Sequence, residues 1–289
     1  MTRVDPHAKA LLVARLRERQ LGPAADADAL TLLRRLSFVL TGLPPTPELV
    51  RSFPQRFARD ADRSLAELVE GLLESPHFGE RMARHWMDVV RYTDTYGYEW
   101  DNPAKGSWEY RDYLIRAFNG DVGFDQLIRE QIAGDLLPRP RIDHGSGLNE
   151  SLIGPMFYHM GEHRHGDNVR INGVREEMID NKIDAFSKAF LSMTIACARC
   201  HNHKLDAVSQ LDYYALAGIF YSSHMFTFQG SARLRRRLQQ PLLSDEAALH
   251  EWRVRKAVLV GLESSVKTLD KKLGKTRELH QLRQELESL

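Results

Sequence analysis

Residues 28–48 read DALTLLRRLSFVLTGLPPTPE. Asp28 stands where a carboxylate accepts from the free N–H groups of a first helical turn, Ala29 to Leu40 follow with leucines at helical spacing, and Gly42 ends the run. Leu43-Pro44-Pro45 makes a stiff bend, and Thr46-Pro47-Glu48 restarts a helix with a hydroxyl cap and a proline at the first position, where no N–H is needed. This alternation of cap, apolar run and breaker fixes the fold class, because it recurs along the chain.

Leu65 to Leu73 carries apolar residues at helical spacing. Ser75-Pro76 opens a helix through Trp86 to about Tyr92, with His85 and Asp88 on or near its apolar side. Ser107 caps Trp108 to Phe118, Phe124 to Ala133 is a short helix stopped near Gly134 and Pro138, and Ser209 caps Gln210 to Phe220. A further helix is expected from about Val174 to about Ile195, through Ile179, Ile183, Phe186, Phe190 and Met193. Residues 139–172 break the pattern. Rich in glycine, histidine, proline and asparagine, they read as a long irregular loop of the kind retained for function. From Leu249, the spacing of Leu259, Leu262, Val266, Leu269 and Leu273, continued by Leu279, Leu282, Leu286 and Leu289, is that of a coiled coil or helical hairpin.

The expected architecture is therefore mainly α, a multi-helical globular domain with a long irregular loop and a C-terminal coiled-coil-like helix. It divides into an N-terminal helical extension (1–27), a helical domain (28–228), a basic linker (229–248) containing Arg233, Arg235, Arg236 and Arg237, and the coiled-coil-like helix (249–289). That helix stops inside its own pattern, which reads as a truncation. The chain has 289 residues with 43% hydrophobic content, enough to bury a core. Its 40 lysines and arginines nearly balance 39 aspartates and glutamates, so no overall field points to nucleic acid. No run of about 18 apolar residues predicts a membrane span.

The two cysteines of the chain sit three positions apart, followed at once by a histidine: Cys197-Ala198-Arg199-Cys200-His201. Covalent haem attachment requires this spacing, since two thiols add to two vinyl groups of one porphyrin while the adjacent imidazole lies beneath the iron as proximal ligand. Three other readings share the motif. A redox dithiol needs a strand-to-helix context, whereas the preceding residues read as helix. A zinc site would use Cys197, Cys200, His201 and His203, four donors within seven residues that strain tetrahedral geometry. A buried pair of small thiols leaves the spacing unexplained.

On the haem reading, His203 would have to reverse direction to reach the opposite face, so it is expected to act on His201 or a propionate. The sixth iron position then falls to Met156, His159, Met160, His163 or His165 in the irregular stretch, with His165 preferred. The density of Asp88, Arg91, Asp94, Glu99 and Asp101 with Tyr92, Tyr96, Tyr98 and Trp100 around Gly97 suggests a small-molecule or carbohydrate cleft. Caps and surface pairs at a helix end are the stronger explanation. No catalytic residue is assigned.

The run Cys197-Ala198-Arg199-Cys200-His201-Asn202-His203-Lys204-Leu205-Asp206, followed by Asp212-Tyr213-Tyr214-Ala215-Leu216, resembles the hallmark of the second planctomycete-type cytochrome c domain family, a domain of unknown function. Leu40 to Pro47, Ser75 to Arg81 with Arg84 to Asp88 and Arg91-Tyr92, and Tyr110 to Tyr113 with Gly134 to Pro138 also resemble it, so that the likeness covers roughly residues 28–226. Asn202 and Leu205 depart from the family's usual acidic residue and phenylalanine, and neither touches the attachment chemistry. The resemblance implies one covalent haem c in an extracytoplasmic, for example periplasmic, protein. It also implies a longer polypeptide with a cytochrome-like domain before this one and another domain after it, consistent with a start at Met1-Thr2-Arg3 that carries no export signal. The expected activity is electron transfer with a redox partner protein or domain. A haem-dependent oxidoreductase or peroxidase-like enzyme and a zinc-stabilised interaction module are the alternatives.

Overall fold

The computed structural model describes residues 6–22, 25–95, 97, 101, 103–104, 106–161, 172–223, 242 and 246–273. Helices α1 (Pro6–Glu18), α2 (Ala29–Leu40), α3 (Pro47–Arg59), α4 (Ala61–Leu73), α5 (Pro76–Val90), α6 (Ser107–Asn119), α7 (Phe124–Ala133), α8 (Val174–Phe186), α9 (Gln210–Ser222) and α10 (Glu246–Leu273) carry the fold. Among the described residues there is no strand, only the isolated bridges Thr95–Pro103 and Ile142–Asn149. None of these helices is long and apolar enough to cross a membrane.

The chain forms two compact units. The first holds residues Met1–His85 and Leu114–Asp121, the second Trp86–Tyr113 and Val122–Leu289. In the first unit the expected punctuation holds. Asp28 caps α2 by accepting from Thr31 N at 2.9 Å, Thr46 caps α3 with Pro47 behind it, and Gly42 takes the left-handed conformation (φ +72°) that lets the chain leave α2. The amphipathic faces of α2, α3 and α4 meet on Leu33, Phe53 and Leu68. Each such side chain contributes roughly 1.5–3 kcal/mol by leaving water. Asn119 ties the end of α6 to the start of α5, accepting from Gly79 N at 2.8 Å and donating to the Pro76 carbonyl at 3.0 Å.

The second unit is built on aromatic side chains. Phe157 lies 4.1 Å from Tyr158 and 5.8 Å from Phe190, measured between ring centroids, and Phe186 is 5.3 Å from Phe190. Here residues 139–172 depart in part from the expected loop. Arg139, Pro140 and His144–Ser146 are exposed, but short 3₁₀ turns at Glu150–Leu152 and Gly154–His159 bury Ile153, Phe157, Tyr158 and Met160. At Gly154, and at Gly134 just before the stretch, backbone runs against backbone. A Cβ on Gly134 would sit 1.8 Å from the Ser151 carbonyl oxygen, and one on Gly154 would sit 2.4 Å from that of Glu130.

The helix expected to reach Ile195 ends sooner. α8 stops at Phe186, widens into a π turn over Ser187–Leu191, and is broken by Ser192 in the left-handed region (φ 53°). The widening keeps Phe190 among the aromatic rings while releasing the chain from the helical path, a common use of a π turn. The chain then enters a separate 3₁₀ turn, Ile195–Arg199. α10 realises the expected C-terminal helix over its described residues. The rest of the heptad run and most of the basic linker lie outside them.

Candidate functional site

Cys197 and Cys200 lie on this 3₁₀ turn and at its end, not on α8. The two residues between them are anchored to the protein. Ala198 is fully buried, and the Arg199 guanidinium pairs with Asp180 of α8 at 3.3 Å. Asp180 is held in turn by the Tyr213 hydroxyl at 2.6 Å. The anchored centre leaves both cysteines exposed and unbridged, with His201 exposed beside them.

The hydrogen bonds of His201 fix its tautomer. Its Nδ1 lies 2.7 Å from the Asn202 carbonyl oxygen, an acceptor only, so Nδ1 carries the proton and the neutral ring keeps its lone pair on Nε2. Metal-ligating histidines are commonly oriented by such a donation.

His203 has the opposite arrangement. Its Nδ1 accepts from Asp206 N at 2.8 Å and Leu205 N at 3.3 Å, so Nε2 carries the proton and donates to Thr194 Oγ1 at 3.0 Å. The Asp206 carboxylate 3.3 Å from Nδ1 therefore faces an acceptor rather than a charged donor. Both nitrogens are occupied and the side chain is 7% exposed, which makes His203 the pin of the loop over 202–208. His203 N donates to Val208 O at 2.8 Å and closes that loop. Among the described residues no group of three or more histidine, cysteine, aspartate or glutamate side chains is gathered for a metal, so the four-ligand zinc arrangement is not formed.

α9 begins beside this turn. Ser209 and Asp212 form a reciprocal capping box. Gln210 N donates to Asn202 Oδ1 at 2.9 Å, while Gln210 Nε2 and the Tyr214 hydroxyl donate to the Arg199 carbonyl at 3.0 and 3.3 Å. The helix starts where it does because Ser209 can satisfy its first N–H groups.

Three of the candidates for the sixth iron position lie on or at the end of the 3₁₀ turn Gly154–His159. Met160 is buried, and its carbonyl takes the Lys182 ammonium. His159 is exposed at the end of a 3₁₀ turn that packs on α7. Met156 is half-buried, and His163 and His165 lie outside the described residues. In the Asp88–Asp101 stretch, His85 and Asp88 are exposed rather than on the apolar side. Arg91 pairs with Asp184, the Tyr92 hydroxyl donates to Asp94 at 2.7 Å and Thr95 Oγ1 to Asp101 at 2.5 Å. These groups satisfy one another. Tyr96, Tyr98, Glu99 and Trp100 are outside the described residues.

Sequence reading missed a buried polar network. Glu130 is fully buried on α7 and takes both arms of Arg141 at 3.0 and 2.9 Å, together with Tyr113, Gln126 and Ser151. Glu150, also fully buried, lies 3.5 Å from the same guanidinium. Burial by itself raises the pKa of Glu130, and these donors outweigh it and leave it lowered. The only sequence signal was Glu130 among the apolar residues of α7.

A family model described as PSCyt2, protein of unknown function (DUF1549), matches residues 8–225, well over half of the chain. No curated protein and no solved structure matches it.

Proposed function

The chain belongs to the PSCyt2 family, and on that footing we propose that its Cys197–His201 turn carries one covalent haem c and passes single electrons to and from a partner protein or domain. The observation that carries this reading is the pair of free, exposed thiols on either side of an anchored Ala198-Arg199, with the Nε2 lone pair of His201 beside them. Each thiol adds across one vinyl group: sulfur bonds to the carbon next to the ring, the thiol proton goes to the terminal carbon, and no oxidant is consumed. His201 holds the metal on one side, and Asn202 orients it through Nδ1. Bound there, the haem supplies a one-electron couple whose potential follows its ligands and its exposure to water.

The sixth position is proposed for His165. Thioether attachment places maturation in an extracytoplasmic compartment. His203 works from a distance in this scheme, fixing the loop after the proximal ligand instead of meeting the iron or a propionate.

The test is a pyridine haemochrome spectrum and an intact mass of protein matured with a functioning haem-attachment system. The expected result is a two-thioether spectrum and a mass raised by one haem. Cys197→Ser and Cys200→Ser each leave a single link, and the double variant leaves none. Colourless protein of unmodified mass would overturn the reading.

A further inference from the structure

α9 is apolar around its whole circumference. One side is ordinary core: Tyr213, Ala217 and Phe220 are buried. The other side is not the polar face a surface helix normally presents. Leu211 is 79%, Tyr214 54% and Ile219 60% exposed, and they lie three and four residues apart on one stripe with Ala215 and Gly218, both exposed. Leu205, 88% exposed, sits at the tip of the loop that His203 pins, immediately before this helix.

That stripe runs up to the attachment turn. The Tyr214 hydroxyl and Gln210 Nε2 both meet the carbonyl of Arg199, the residue before Cys200, and Gln210 N meets Asn202, the residue after His201. A flat, largely apolar ring tethered by two short thioether links at Cys197 and Cys200 cannot move far from this surface. It gains most by removing the nearest apolar area from water.

We infer that Leu205, Leu211 and Tyr214 form the bed on which the porphyrin lies, so that the outer stripe of α9 is covered by the chain's own cofactor rather than by another protein. This rests on the haem reading above. The residues set how much water reaches the macrocycle, and with it the potential of the iron.

The experiment is hydroxyl-radical footprinting with mass spectrometry, comparing haem-loaded protein with the Cys197→Ala/Cys200→Ala variant. Labelling of Leu205, Leu211 and Tyr214 is expected to fall several-fold in the loaded protein, while Leu136, 77% exposed on the 3₁₀ turn Gly134–Leu136, stays unchanged as an internal reference. Attached haem with undiminished labelling of the α9 stripe would overturn this inference and leave the attachment standing. Protein that gains no haem mass would overturn both. As a second readout, Leu211→Ser/Tyr214→Ser, two exposed positions, should lower the midpoint potential of the attached haem; an unchanged potential counts against the inference.

Discussion

The two histidines of the motif have the same chemistry and opposite employment, decided by which nitrogen meets a carbonyl and which meets an N–H. His201 donates from Nδ1 and keeps Nε2 for a ligand; His203 accepts at Nδ1 and spends Nε2 on Thr194. His203→Ala should therefore cost about 1 kcal/mol, since it removes the acceptor of the Asp206 and Leu205 N–H groups. The cost is read by denaturant unfolding of the haem-free protein, with a lower yield of haem attachment alongside it. Glycines separate in the same way. Gly134→Ala is expected to lose about 1–3 kcal/mol, because the new methyl meets the Ser151 carbonyl. Gly71→Ala, in the interior of α4 with nothing near its Cβ position, should gain up to ~1 kcal/mol from helix propensity. The Cys-x-x-Cys-His spacing was legible in sequence; the tautomers and the 1.8 Å approach were not, as both depend on what the rest of the chain brings opposite.

At the scale of elements, the caps were readable because a cap is a local event. Asp28, Thr46 and Ser209 each accept from an N–H three residues on, so sequence alone contains both partners. Ser209→Ala should destabilise α9 by about 1 kcal/mol and raise amide exchange in its first turn, where Gln210 N donates to Asn202. The stretch 187–191 misled the reading for the converse reason. Phe186, Phe190 and Met193 keep a helical spacing, but the ladder shifts to a π turn so that Phe190 reaches Phe157 and Trp86, residues distant in sequence. The irregular stretch misled it in part: Gly154 marks close backbone packing, whereas Gly147 has open space where a Cβ would be.

For the whole molecule, two buried charges set the pH dependence. Glu130 has a lowered pKa in the folded state, so the unfolded chain binds the extra proton on acidification. Stability should fall as pH drops below its ordinary value of 4.5. Glu130→Gln should flatten this acid limb. Lys182 acts with the same sign in another window. Burial, then the nearby Arg91 charge, lower its pKa from 10.5 to about 7. The unfolded chain therefore holds a proton that the native one has shed, and stability should rise with pH from about 7 until tyrosine ionisation begins near 10. Lys182→Met should abolish that rise in denaturant titrations at a series of pH values. A rise that persists in the variant would assign it elsewhere.

By itself the sequence determined the helical class, the starts of α2, α3 and α9 and the Cys-x-x-Cys-His spacing, since caps, periodicity and a five-residue motif are short-range and carry their partners with them. Tertiary structure alone decided that the motif leaves α8 for a turn of its own, that Ala198 is buried and Arg199 pairs with Asp180 while the thiols face out, and that the turns over Glu150–His159 become core. Those outcomes depend on burial and hydrogen-bond partners contributed by residues far along the chain, and no local pattern encodes them.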